Sequence, residues 1–245
     1  ADLDQYVSDD YGRKDNNEKY QNLEIGAGLE YTNLVIASPC QITLQGGARL
    51  SGDFVSLDGR KGVVSKYGYV IDAAKACVLS EQDRVRLGDD AVVNAGELTI
   101  RAAKSAEVGE DATIDVNGDF FIESTGDSDA SQALIDSDSV VTAGSIRLTS
   151  QRKVILGEDT TVAVDGSIFL VSTGAAAKSQ ATIGNGSNIQ ATDLTLSAPR
   201  TAQIGKKATV NLSGQLTIKS TGTSSDSNAI IAKGATVAVG GDAEM

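Results

Sequence analysis

The 245-residue chain carries a formal charge of −12, with 33 Asp and Glu against 21 Lys and Arg, which argues against nucleic acid or an anionic membrane surface as its main partner. Aromatic residues make up only 4%, and Trp and His are absent, so a core filled by large rings does not fit the composition, and neither does histidine-based acid–base or metal chemistry. No stretch approaches the roughly 18 consecutive apolar residues of a membrane-spanning helix, so no membrane insertion is expected.

The chain opens ADLDQYVSDD, without Met, which fits a mature exported chain or an excised fragment. Residues 1–22 are polar and charged without alternation, and read as a flexible or capping N-terminal arm. Apolar alternation begins at Leu23. LEIGAGLEYTNLVIA from Leu23, ITLQGGARLSGDFVSL from Ile42 and YGYVIDAAKACVLS from Tyr67 each read as one loosely patterned turn of short strands, so residues 23–84 form an irregular N-terminal region. All six tyrosines fall in the first 69 residues and both cysteines in the first 77. This bias suits a region that caps one end or meets a partner, and Tyr6, Tyr11 and Tyr20 are its candidate interface residues. Cys40 and Cys77 are candidates for one disulfide, with two buried free thiols the equal alternative.

From Val85 to Met245 the chain repeats itself. AEVG at Ala106, VILG at Val154 and AQIG at Ala202 recur every 48 residues. VRLG at Val85, ALID at Ala133, ATIG at Ala181 and AIIA at Ala229 recur with the same 48-residue step, interleaved with the first series, so the unit is a rung of 21 residues followed by one of 27. Each rung carries three apolar pairs of alternating pattern, such as Val154/Leu156, Val162/Val164 and Ile168/Leu170, the mark of short strands with one buried face. Gly96, Gly118, Gly144, Gly166, Gly214 and Gly240 precede the third pair, with Thr192 the exception, which suits a sharp corner or bulge. Small residues such as Ala102, Ser124, Ser150, Ser172, Ala198 and Ser220 follow it as a second corner ladder. Three strands per rung, repeated in register, predict an all-β fold: a right-handed parallel β-helix (solenoid) of triangular cross-section and about ten rungs, a rod of roughly 50 Å.

The corners are too short to wall a substrate groove, and acids such as Asp115, Asp119 and Asp165 are scattered among them, so no enzyme activity and no cofactor is expected. Longer loops occur only in the 27-residue rungs: STGDSDASQ from Ser124, STGAAAKSQ from Ser172 and STGTSSDSN from Ser220. Asp127 and Asp129 could offer oxygen ligands to Ca²⁺, but the next loop substitutes Lys178, and solvated turn acids fit better. Among outward positions of the third strand, Phe121 and Phe169 occupy equivalent sites two rungs apart with Arg147 between them. They form a candidate contact surface, weighed against cover by a loop or by the N-terminal arm. Asn185-Gly-Ser and Asn211-Leu-Ser match the glycosylation sequon, a motif short enough to arise by chance. At the other end AIIAKGATVAVGGDAEM has the first two apolar pairs of a rung and stops where the third should begin, which invites another subunit to complete it by strand addition.

The segments GELTIRA, GSIRLTS and GQLTIKS resemble the haemagglutinin repeats of filamentous, two-partner-secreted bacterial adhesins, over roughly residues 85–245. Secretion-domain motifs of that family are not evident in the chain. The bactofilins, β-helices that polymerise end to end, are the nearest alternative, though their rungs are shorter and more uniform. The resemblance implies an extracellular, cell-surface location and a structural role. The expected function is a subunit of a surface fibre or biofilm scaffold that partners itself end to end. Two other functions stand beside it: a stalk fragment of a large adhesin, and a glycan-binding or depolymerising β-helix of the phage-tailspike kind, with surface glycans or other matrix components as partners.

Overall fold

Backbone pairing decides the architecture. The computed structural model describes residues 5–7, 23–26, 28–174 and 178–245, in which all regular elements are strands and all pairings between them are parallel. Ten strands of the first series, from Leu23–Ile25 to Asn228–Ile231, stack into one sheet and make about nine turns of a parallel β-solenoid, close to the ten rungs read from the sequence. The second and third series belong to a single 16-stranded sheet, because in several turns they run on as one bent strand, as in Val92–Ala102 and Val140–Ser150.

The register reproduces the two-length repeat. Ala106 lies beside Ala133 and Ala133 beside Val154, steps of 27 and 21 residues (133 − 106 and 154 − 133). Upstream the alternation disappears: Ile42 pairs with Val63 and Val63 with Val85, steps of 21 and 22. The irregular region is therefore irregular in composition and not in pairing. Its three sequence-derived turns all form, the last as the strand Val70–Ser80. Gln5–Val7, inside the stretch read as an arm, is a strand that pairs in parallel with Leu34–Ile36.

Parallel pairing places each inward residue over its equivalent in the turn below, so the apolar pairs stack into one core running from Ile25 to Ile218. Val93, Ile114, Val141, Val162, Ile189 and Val210 form one such column, and Leu98, Phe120, Ile146, Ile168, Leu194 and Leu216 another, all buried. At the corner after the third pair, serines reach to carbonyls of the turn below: the buried Ser172 Oγ donates to Arg152 O at 2.8 Å and the half-buried Ser220 Oγ to Arg200 O at 2.9 Å. The same carbonyls also accept the amides of Gln180 and Asn228, so the hydroxyls add a second bond to groups already in the ladder.

The glycines before the third strand have a steric cause. A Cβ on Gly96 would lie 2.4 Å from Ala74 O, and one on Gly166 would lie 2.8 Å from Gly144 O, the carbonyl of the turn below. Neither glycine has a positive φ, so close approach between turns, rather than backbone conformation, excludes a side chain there. The register also slips beside this point, between Ala95 and Leu98 against Val116 and Phe120, which is the bulge the sequence suggested.

A different corner, before the middle strand, does use left-handed backbone. Gly47, Gly68, Asp90, Asp111, Asp138, Asp159, Gly186, Lys207 and Gly234 occupy it in successive turns with φ between 51° and 83°. Most of their amides donate to the following turn: Asp111 N to Ser137 O at 3.2 Å, Asp138 N to Glu158 O at 3.0 Å, Asp159 N to Asn185 O at 2.9 Å and Gly186 N to Lys206 O at 2.9 Å. The turns at this edge are stacked as regularly as the strands.

One buried residue breaks the pattern of small corners. Ala48, Ala91 and Ala112 occupy a fully buried corner column, and Tyr69 stands in it between Ala48 and Ala91. Its turn is otherwise depleted: Ser65 stands beside Leu44, and Ala76 lies between Val55 and Leu98. The ring restores the volume those residues lack. Its hydroxyl makes no hydrogen bond of normal geometry; the neighbouring Ser65 Oγ, which donates to Arg86 O and accepts from Gly88 N, offsets only a little of the burial that pushes the phenol far above its usual titration range. Tyr69→Phe is therefore expected to raise stability by about 1 kcal/mol, because a desolvated, unpaired hydroxyl is removed at little cost in volume. Urea unfolding of the two chains measures this, and a loss of similar size would mean that the hydroxyl has a partner.

Candidate functional site

The outward row of the third strand is the surface on which the candidate residues converge. Ser56, Cys77, Thr99, Phe121, Arg147, Phe169, Thr195 and Thr217 lie side by side in consecutive turns. The alternation that buries Phe120 and Leu148 turns Phe121 and Arg147 outward. Phe121 and Phe169 are each 37% exposed, so no described residue covers them fully. The Arg147 guanidinium carbon sits 6.0 Å from the centroid of the Phe169 ring, at the outer limit of a cation–π contact. In the neighbouring row Arg101 Nε pairs with Glu123 at 3.1 Å. Phe121, Arg147, Arg101 and Glu123, together with Thr99, Thr149 and Gln151, line an open groove of about 550 Å³, and Phe169 stands outside it. The site offers a ring face, a guanidinium, a carboxylate held by Arg101 and several hydroxyl and amide groups.

The loops of the 27-residue rungs stand next to this row. Residues 175–177 of the second loop lie outside the described residues. Asp129, considered as a calcium ligand, is ion-paired instead, with Lys178 Nζ at 3.2 Å and Arg152 Nη1 at 3.7 Å. The hydrogen bond and charge of Lys178, helped by Arg152, hold its carboxyl below the usual range. Arg152 Nε also donates to Asp127 O at 2.8 Å, and Arg200 pairs with Asp226 at 3.2 Å, so arginines of the short rungs clamp the loops of the long ones. Among the described residues no group of three or more Cys, Asp or Glu is spaced to hold a metal.

The remaining candidates do not meet at one place. Tyr6 occupies the register position beside Val35, in line with Ser56 and Cys77 on the third-strand row, whereas Tyr11 and Tyr20 lie outside the described residues. Of the other tyrosines, Tyr69 is core and Tyr67 is 69% exposed. The cysteines read as a candidate disulfide are both free thiols. Cys40 is buried among the inward residues before Ile42, while Cys77 lies on the outward row, so the strand wall separates them. Partial burial pushes the Cys77 thiol up, against the opposing pull of Lys75, which itself bonds Glu97 at 2.6 Å.

Sequence reasoning missed the left-handed corner. Its signal lies in the four-residue series GDDA, GEDA, DSDS, GEDT, GNGS and GKKA, each just ahead of the middle strand. A polar or glycine residue always stands third in it, where φ is positive, followed by a small one that turns inward. No protein-family model matches the chain, and no match is found among curated proteins or solved structures.

The thiol assignment is directly measurable. Alkylation near neutral pH is expected to modify Cys77 slowly and Cys40 only on unfolding, with two titratable thiols in the denatured, unreduced chain. A denatured chain without titratable thiols would reinstate the disulfide.

Proposed function

We propose that the chain is a non-catalytic structural subunit of an extracellular surface fibre or biofilm scaffold, assembling end to end through its β-solenoid turns. The observation that supports this reading is the uniform parallel ladder, in which each described turn offers the next the same backbone edge, down to the turn of Asn228–Ile231 and Thr236–Val239. Asn228–Ile231 and Thr236–Val239 pair with the preceding turn on one side only, and a third strand has begun at Ala243–Glu244. Ile231 there is 38% exposed, and Ala229, Val237 and Val239 are only partly covered, whereas the equivalent pairs in earlier turns are fully buried. An edge of unpaired backbone over exposed apolar residues is a template for one more parallel turn.

The edge fits two occupants: a turn of another copy, as in a fibre, or a further turn of a longer adhesin stalk. The likeness of the repeat to haemagglutinin-type adhesins supports a surface location in either case. The row Phe121, Arg147 and Phe169 favours a second, lateral role in contacting surface glycans or matrix components. The acidic surface, with its net charge of −12, would keep such rods dispersed until their ends meet.

Electron microscopy of the purified chain is expected to show fibres whose axial repeat equals one rod length. Val237→Lys, which puts a charge on the open end, is expected to abolish them while leaving the rod folded. Rods that remain monomeric at every concentration would overturn end-to-end assembly, and fibres that survive Val237→Lys would move the contact elsewhere.

A further inference from the structure

The left-handed corner carries a charge pattern that the fold does not require. In four consecutive turns its tip carries acid: Asp89 and Asp90, Glu110 and Asp111, Asp138 beside Ser137, with Asp136 preceding them, then Glu158 and Asp159. The next turn is neutral, Asn185 and Gly186, and the two after it are basic, Lys206 and Lys207, then Lys233. Acid and base are thus sorted along one edge of the same rod.

This sorting has a conformational cost. Glycine fits the positive φ without penalty and is present at Gly47, Gly68, Gly186 and Gly234, yet Lys207 accepts a φ of 57°. It also has an electrostatic cost, because the rung-to-rung amide bonds fix like charges about 4.8 Å apart. Few of these charges are neutralised within the chain. Asp89 pairs with Arg86 at 2.6 Å and Glu158 accepts from Asn185 Nδ2 at 2.8 Å, but none of Asp90, Glu110, Asp111, Asp138, Asp159, Lys206, Lys207 and Lys233 makes an ion pair among the described residues.

We propose that this edge is a lateral self-association surface, on which a second copy lies antiparallel about a twofold axis through the Asn185–Gly186 turn. The register follows from the order of the turns. A twofold axis there exchanges turns equally distant on either side, so Glu158 and Asp159 of one copy face Lys206 and Lys207 of the other, and the turn of Asp138 faces that of Lys233. Every contact occurs twice, as an isologous interface demands. The axial turn is suited to close approach. Gly186 has no side chain, and the Asp159 carboxylate fills the place where its Cβ would point, with Oδ1 2.0 Å from that position. A parallel pairing in the same register would oppose acid to acid and base to base. The contact is independent of end-to-end stacking and would join rods side by side.

Position 188 lies in the axial turn and is exposed, so Asn188→Cys, in a Cys77→Ser background, places a thiol beside its own symmetry mate. Oxidative cross-linking at moderate salt is expected to give a dimer. Glu158→Lys and Lys206→Glu are each expected to lower its yield about tenfold or more, since each opposes like charges twice. An equal mixture of the two reversed chains is expected to recover the yield, because every contact in the mixed dimer again joins opposite charges. High salt is expected to abolish it. A cross-link indifferent to either reversal, or no recovery in the mixture while each variant keeps its native circular dichroism, would overturn the proposal. So would the absence of a cross-link in the parent chain.

Discussion

Everything in this molecule depends on parallel backbone pairing between successive turns at one fixed step. The amide of Thr113 bonds Ala91 O at 2.8 Å, that of Val140 bonds Ala112 O at 2.8 Å, and Thr161 continues the series to Ser139 O at 2.9 Å. Adjacent turns therefore lie at the strand spacing of about 4.8 Å at corners as well as along the walls. That spacing leaves no slack. Corners must be small, serine-bridged or glycine, and inward positions must be apolar and of matched size. A departure in one residue has to be met within the same turn, as Tyr69 meets the loss of bulk at Ser65 and Ala76.

The same constraint frees the outside. Outward residues contribute little to pairing, so they can vary from turn to turn and be read along the axis as a row of addresses at constant pitch. Two such rows depart from neutral, solvent-facing composition. The third-strand row holds Phe121, Arg147 and Phe169, and the left-handed corner changes from acid to base across Asn185 and Gly186. A rod built in this way has two kinds of contact available. Under the proposals above, its ends would extend the backbone ladder and its edges would match charge with charge. Their energetics differ: the first is apolar and tolerant of salt, the second electrostatic and screened by it.

Much of this fold was legible in the sequence because two periodicities agree. Alternation within each pair marks a strand, and the 48-residue recurrence places equal residues above one another, so Val154, Ala181 and Ala202 could be stacked without coordinates. What stayed hidden depends on contacts between residues about twenty apart. Gly96 looked like a conformational device and is instead kept bare by Ala74 O of the turn below. Tyr69 follows the glycine turn Lys66-Tyr67-Gly68 in sequence, and only the depleted turn around it explains its burial. Cys40 and Cys77 could be counted but not placed on opposite sides of a strand wall. Gln5–Val7 is too short and too polar around it to announce a strand, since its pairing comes from the ready edge of Asn33–Ser38. The contact row was found because alternation alone decides which residues point outward, whereas the corner was missed because Asp, Gly and Lys share its positive-φ position, so its series shows only once the turns are aligned on one another.

The central claim is that axial distance depends on the number of turns and not on the number of residues between two positions. A spin label on Cys77 and a second on a cysteine introduced in turn at Thr99, Phe121, Arg147, Phe169, Thr195 and Thr217 tests it by dipolar distance measurement. The distance is expected to grow by about 4.8 Å at each successive position, equally across the short and the long rungs. Distances that scale with residue separation, or that converge between non-neighbouring positions, would contradict it.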